Sequence, residues 1–318
     1  MDPNIKYREF LYICSSIFIA FLPQSLMAND SSAALSTGGI ILEQNDDIIM
    51  LSEKLHLSPT KVRVEYEYFN DGDLDQDLLV AFALPQREKL VEVMGYSIAF
   101  PLYLDFQTWI DGENTKLIEG YRYWELEDRT IQLTKNLNSD MEYYLALRQQ
   151  KFPSNEVTKV VHEYTPAVGG GIPYYNYKTM KDALLEISSN EASRKEHGHF
   201  LNCTDVNDAL NNLEDWIDFM QKEKGLDPSD EENYWQYLVR YSTLGYILKT
   251  GKNWKGPIKN FELKVTADFP FFLNTCFPGL ERTTETSYEF KATDYVPDKN
   301  IYLMFHMSID WDRFKLLK

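Results

Sequence analysis

The sequence predicts a mainly β protein, an antiparallel β-sandwich of immunoglobulin-like or related kind that carries an α-helical insertion of about three helices. Three observations predict it. Short segments alternate apolar and polar residues with β-branched and aromatic types. Turn-forming residues separate those segments at spacings that suit an antiparallel sandwich better than βαβ units. Between about Thr179 and Tyr241 the apolar period changes from two to that of a helix. With 318 residues, 44% hydrophobic and 14% aromatic, the chain has the apolar material for a sizeable core.

The elements follow in order. Lys6 and Arg8, the apolar run Phe10 to Leu22, and the exit Pro23 to Ala28 read as a secretory signal over residues 1–28. The run is shorter than the roughly 20 residues a membrane span needs, so cleavage after Ala28 and no stable membrane span are expected. Asn29 to Gly39 reads as an extended lead-in and Ile40 to Leu42 as a short strand. Val62 to Phe69 alternates cleanly, and Asp77 to Leu84 repeats the character after the turn Asn70-Asp71-Gly72-Asp73. Gln107 to Asp111, Thr130 to Leu133, Glu142 to Arg148 and Glu156 to Tyr164 are further strands, and Gly169-Gly170-Gly171 is a flexible corner.

Met180, Ala183, Leu184 and Ile187 then recur at helical spacing. Val206, Ala209, Leu210, Leu213, Trp216, Ile217 and Met220 recur more strongly, opposite Asp205, Asp208, Asp215 and Asp218, until Gly225. Ser229 with Glu232 is a capping box for a third helix through Trp235 and Leu238. Strand patterns return at Leu244 to Lys249, Phe261 to Val265, Ser287 to Lys291 and Ile301 to Met307. The expected division is therefore a signal (1–28), a β-sandwich region (29–178), a helical insertion (179–241) and a returning β-region (242–318). Strand, aromatic-proline corner and strand recur in Tyr144 to Tyr164 and in Tyr288 to Phe305, as two related halves or any pair of β-arches would give.

Against 32 basic residues stand 49 acidic ones, a net charge of −17, which argues against nucleic acid as a partner. Cys14 lies in the signal, which leaves Cys203 and Cys276; in an exported chain a disulfide is the simplest reading of the pair. The rival is a nucleophilic thiol assisted by His199 or His162.

Several groups carry chemistry. Asp71, Asp73, Asp75 and Asp77 alternate at a spacing that suits calcium ligands, yet Gln76 and Phe82 stand where an EF-hand loop needs Gly and Glu, so a solvated hairpin tip is the better reading. His197 and His199 are two imidazoles where zinc needs three or four ligands, so no metal is expected. Glu125 and Glu127, on one strand face, would lie roughly 7 Å apart, near the separation of an inverting glycosidase. No nucleophile elbow, phosphate-binding glycine loop or zinc-protease motif is present, and no cofactor is implied. Tyr174, Tyr175 and Tyr177 beside the glycine run have the composition of a recognition loop, and Trp254 that of an anchor or a ligand-facing ring.

Further segments carry a likeness: Ala28 to Ser32 with Gly38-Gly39, Asn45 to Ile48 with Met50 to Glu53, Val62 to Asn70, Ala81-Phe82 with Pro85, His162 to Pro166, and above all Tyr246 to Ile258. On these residues the chain resembles the exported bacterial domain-of-unknown-function family 4424. The resemblance implies export and this architecture; it implies no reaction and no catalytic residue. The resulting expectation is an exported bacterial protein, periplasmic or secreted, that binds a protein or glycan of the envelope, exterior or host without catalysis. The alternative is an extracellular hydrolase using Glu125 and Glu127 on glycan, or a histidine-assisted thiol on peptide.

Overall fold

The computed structural model describes residues 30–36, 39–87, 103–116, 118–125, 130–134, 142–166, 168–190, 204–225 and 238–308. The strands, numbered along the chain, form three sheets. The central sheet has eight strands, in spatial order β16 (Glu281–Thr284), β17 (Ser287–Tyr295), β14 (Ile258–Thr266), β3 (Ile48–Leu57), β4 (Val62–Asn70), β11 (Val157–Pro166), β6 (Tyr103–Ile110) and β7 (Glu113–Asn114). A second sheet closes into a barrel of β1 (Asp30–Ser36), β2 (Gly39–Glu43), β9 (Thr130–Thr134), β8 (Ile118–Glu125), β10 (Glu142–Phe152) and β5 (Gln76–Arg87). The third has four strands, β12 (Gly169–Asn176), β13 (Leu238–Tyr246), β18 (Ile301–Ser308) and β15 (Phe271–Thr275). Two α-helices, α1 (Tyr177–Ser189) and α2 (Val206–Lys224), and a 3-10 helix (Lys249–Asn253) complete the described elements.

β4 shows why the central sheet has one buried face. Val62, Val64, Tyr66 and Tyr68 are buried while Arg63, Glu65 and Glu67 between them reach the other side, the period-two consequence of the pleat. The buried face meets both other sheets. Tyr68 packs on Phe152 of β10 with ring centroids 5.7 Å apart, and the Tyr66 hydroxyl lies 3.0 Å from that of Tyr246 in β13. Each such buried aromatic contributes roughly 1.5–3 kcal/mol of transfer free energy. The one core this creates runs from Ile48 to Met307.

β15 has two apolar faces. Phe271 and Leu273 enter that core, whereas Phe272 enters a second cluster with Met180, Leu184 and Ile187 of α1 and Leu213, Trp216 and Met220 of α2. The helices thus cover the outer side of the four-stranded sheet. Asp205 caps α2, its carboxylate accepting from the Asn207 N–H at 2.8 Å, and Gly225 closes the helix in the left-handed conformation at φ 63°.

The mainly β, largely antiparallel expectation matches the fold, and several finer ones do not. In place of a two-sheet sandwich there are three sheets, one of them closed, and β14 pairs with β3 in parallel, Leu263 opposite Leu55. Two α-helices, not three, are described; residues 226–237 lie outside the described set, and Leu238, expected to end a third helix, opens β13 by pairing with Asn176. The 179–241 insertion therefore gives way to sheet before residue 241, and the strand expected over Leu244 to Lys249 starts earlier and stops at Tyr246. Gly169-Gly170-Gly171 is not a flexible corner: it is strand, paired with Thr243, Ser242 and Tyr241. The lead-in after Asn29 is β1, held between β2 and β5. Both aromatic-proline corners carry the chain from one sheet to another, β10 to β11 and β17 to β18.

Candidate functional site

The aspartate string does not converge on a cation. Asp71 pairs with Lys255 at 2.7 Å and Asp75 with Lys151 at 2.7 Å, while Asp73 is exposed and Asp77 faces Lys151 across the β5–β10 ladder. The hydrogen bond from Lys151, and then that from the Ser154 backbone, hold the Asp75 carboxyl below its ordinary range. No group of three or more His, Cys, Asp or Glu side chains able to hold a metal occurs among the described residues.

Two segments of the family-like pattern meet at this end of the central sheet. The Asn45 N–H donates to the Asn253 carbonyl at 2.8 Å, the Lys255 N–H to the Ile48 carbonyl at 2.8 Å, and the Asn45 carboxamide oxygen accepts from the Asp47 and Ile48 N–H groups. Trp254 lies beneath them, 1% exposed, its ring 4.9 Å from Tyr68 and 6.0 Å from Phe152. Its burial there is that of an anchor for this clamp.

Of the hydrolase candidates, Glu125, His162 and Cys276 lie among the described residues. His162 is fully buried in β11, its Nδ1 2.9 Å from the Thr108 hydroxyl and its ring among Phe82, Phe106 and Tyr66. It is a core histidine. Glu125 ends β8, opposite Ile131 of β9, and Glu127 lies outside the described residues, as do His197, His199, Cys203 and residues 1–28. Tyr174 and Tyr175 lie on β12, at the edge of the four-stranded sheet, and Tyr177 opens α1.

A cleft of about 340 Å³ opens where α2 passes the free edge of β15. A bare strand edge would leave a row of unpaired amides and carbonyls, and here one backbone carbonyl and several side chains pair with them. The Phe271 N–H donates to the Glu285 carbonyl at 3.1 Å and its carbonyl accepts from Arg282 Nη2 at 2.5 Å. The Leu273 carbonyl accepts from Asn212 Nδ2 at 3.2 Å, and its backbone also hydrogen-bonds the Tyr288 hydroxyl. Thr204 serves Thr275 twice, accepting from its N–H at 2.6 Å and donating to its carbonyl at 3.1 Å.

That seal makes the floor of the cleft; Asp205, Asp208 and Asn211 of the α2 segment stand exposed at its rim, and Phe277 and Leu280 give it an apolar side. Burial raises the Tyr288 phenol above its ordinary pKa against the opposing charge and hydrogen bond of Arg282, so it stays protonated. Such a surface offers carboxylates, a carboxamide and apolar contact to a ligand, and no histidine lines it among the described residues. Cys276 lines the same cleft, and the contact between Thr204 and Thr275 sets the neighbours of both cysteines side by side. Of these residues the sequence had pointed only to Cys276 and to the aspartates as a solvated helix face. Asn211 and Asn212 interrupt that acidic face, and this was the signal available.

A family model described as "Domain of unknown function (DUF4424)" matches residues 28–145 and 126–304. Among solved structures, a "putative nutrient binding protein" from Legionella pneumophila superposes with a TM-score of 0.50 at 13% identity, over 92% of this chain and 73% of that one. Yeast LTA4 hydrolase in complex with bestatin superposes with a TM-score of 0.32 at 10% identity, over 81% of this chain and 28% of that one. Among curated proteins none matches the sequence. The Legionella likeness, at that identity, is one of fold.

Proposed function

Since the chain belongs to the DUF4424 family, whose function is undefined, we propose from its own residues that it is an exported binding protein, without catalysis, whose site is the cleft between α2 and β15. The observation that carries the reading is the sealed edge. Backbone groups that would otherwise invite another strand are satisfied by Thr204, Asn212, Arg282 and Tyr288, which leaves a concave, partly polar recess suited to a small molecule. The fold-level likeness to a protein described as nutrient binding is compatible with this.

The rim sets the class of ligand. Asp205 and Asp208 in a chain of net charge −17 repel anions, so the ligand is neutral and polyhydroxylic or cationic. The reading takes residues 1–28 as a signal removed on export, and Cys203 with Cys276 as a disulfide that fixes the cleft wall. The Thr204–Thr275 hydrogen bonds support that pairing.

The test is a thermal-shift and calorimetric screen of the mature protein against neutral monosaccharides, polyols and aliphatic amines. A true ligand at about 100 times its Kd adds about 2.7 kcal/mol of stability, and the variant Asp208→Ala with Asn211→Ala loses that gain while keeping the unliganded melting temperature. No stabilisation by any of these classes, or equal stabilisation of the variant, overturns the assignment.

A further inference from the structure

The outer face of the central sheet carries a different kind of site, on the side of β17 opposite the cleft: Tyr288 lines the cleft, and Glu289 lines a groove of about 380 Å³ across β17, β14, β3 and β4. Strand register arranges its charges in two cross-strand rows. In the first, Lys291, Glu262, Lys54 and Glu65 stand opposite one another in turn, and the signs alternate throughout. In the second the order is Glu289, Lys264, His56, Arg63 and Glu163.

Here alternation fails at the centre, because His56 has a cation on each side. Lys264 meets Glu289 at 3.2 Å on its outer side, and Arg63 meets Glu163 at 3.2 Å on its outer side and Glu65 at 2.9 Å along its own strand. Neither cation has a carboxylate between itself and the histidine. Lys54, one row away, makes no ion pair among the described residues, since its neighbours Glu262 and Glu65 are taken by Lys291 and Arg63.

We propose that this groove binds a small free oxyanion, a sulfate, phosphate or carboxylate, seated over His56 between Lys264 and Arg63 with Lys54 beside it. An anion there restores the alternation that the second row lacks, and like-charge neighbours are otherwise unfavourable on a sheet face. Glu289 and Glu163 close the row at both ends, which restricts the site to one compact anionic group and disfavours an extended anionic surface. The His56 ring is tied to Thr266, its Nε2 2.7 Å from that hydroxyl. Partial burial, then the charges of Lys264, Lys61 and Arg63, hold its pKa below the ordinary value, so the empty groove keeps the ring neutral. Anion binding reverses the field and couples to proton uptake, and the coupling is reciprocal.

The experiment follows the His56 ring signal by NMR, identified with His56→Gln, through a pH titration in sodium chloride and in sodium sulfate at equal ionic strength. Sulfate is expected to raise the His56 pKa saturably by about one unit, equivalent to about tenfold tighter binding by the protonated ring. In Lys264→Gln the pKa is higher at the outset, because a cation is gone, and the response to sulfate disappears. In Lys259→Gln, on the same strand but paired with Asp294 outside the groove, the response persists. An equal rise in chloride, or an undiminished sulfate response in Lys264→Gln, overturns the proposal.

Discussion

At the scale of the residue, histidine shows how burial decides chemistry. His162 and His306 both sit on strands with aromatic neighbours, and both are at most 1% exposed. His162 keeps Thr108 as a partner, whereas His306 stacks on Phe272 at 4.4 Å and 4° with its Nε2 unbonded, and burial depresses its pKa to about 3. The sign of the linkage is definite. Between pH 6.5 and about 3 the unfolded chain carries a proton on this residue that the folded one lacks, so stability is full above 6.5 and falls as the pH drops through that window, at about 1.4 kcal/mol per unit. His306→Phe keeps the stacking and removes the titration. Urea unfolding at pH 7, 5.5 and 4.5 is expected to show wild type losing stability relative to the variant at each step, and parallel losses would contradict a neutral buried His306. Neither histidine's state was legible beforehand, since Val-His-Glu and Phe-His-Met read alike whether the partner across the sheet is a threonine or a phenylalanine ring.

At the scale of the element, what the sequence showed depended on how regular the strand is. β4 alternates over its whole length and was readable; β3, its central neighbour, was not. A bulge between Met50 and Ser52 shifts its register against β4, so that Ser52 and Glu53 are both buried and the period-two pattern is broken within the strand. β12 was hidden by its glycines, which signal a turn locally but here pair with β13. α2 was legible from both ends, and its termination gives a prediction. Gly225→Ala places a Cβ at φ 63° and is expected to cost about 1–2 kcal/mol, read as a lower urea midpoint at unchanged slope. The cysteine pair belongs at this scale too, because it would join the α2 approach to the end of β15. Denatured, non-reduced mature protein is expected to show no free thiol, and Cys276→Ala to lower stability by about 4 kcal/mol in the chain-entropy estimate. Two titratable thiols would leave noncovalent contacts, Thr204 with Thr275 and Asn212 with Leu273 among them, to tie these elements together.

At the scale of the whole molecule, the arrangement that no local signal could reveal is the parallel pairing of β14 with β3, because it joins segments some two hundred residues apart and neither strand's own pattern names its neighbour. Through it Leu263 and Val265 lie beside Leu55 and Leu57, and Phe261 of the same strand stacks on Tyr295 at 4.7 Å. β18, further on, contributes Ile301, Leu303, Phe305 and Met307 to the core that holds Tyr66 and Tyr68. The stretch from 242 onward thus supplies three of the eight strands of the central sheet and a large share of the core. A chain of residues 29–241 would bare the edge of β3 and the inner faces of Val64, Tyr66 and Tyr68 together, and burial of this kind is the main term that offsets chain entropy. That truncated chain is expected to show no cooperative urea transition and to aggregate, where the full mature chain unfolds sigmoidally. The helices are attached differently, meeting the rest chiefly through Phe272 and the β15 edge. Amide exchange in the intact protein should therefore open α1 and α2 at lower free energy than β3, β4 and β14. Equal protection of the helices and the central sheet would show that the two clusters unfold as one.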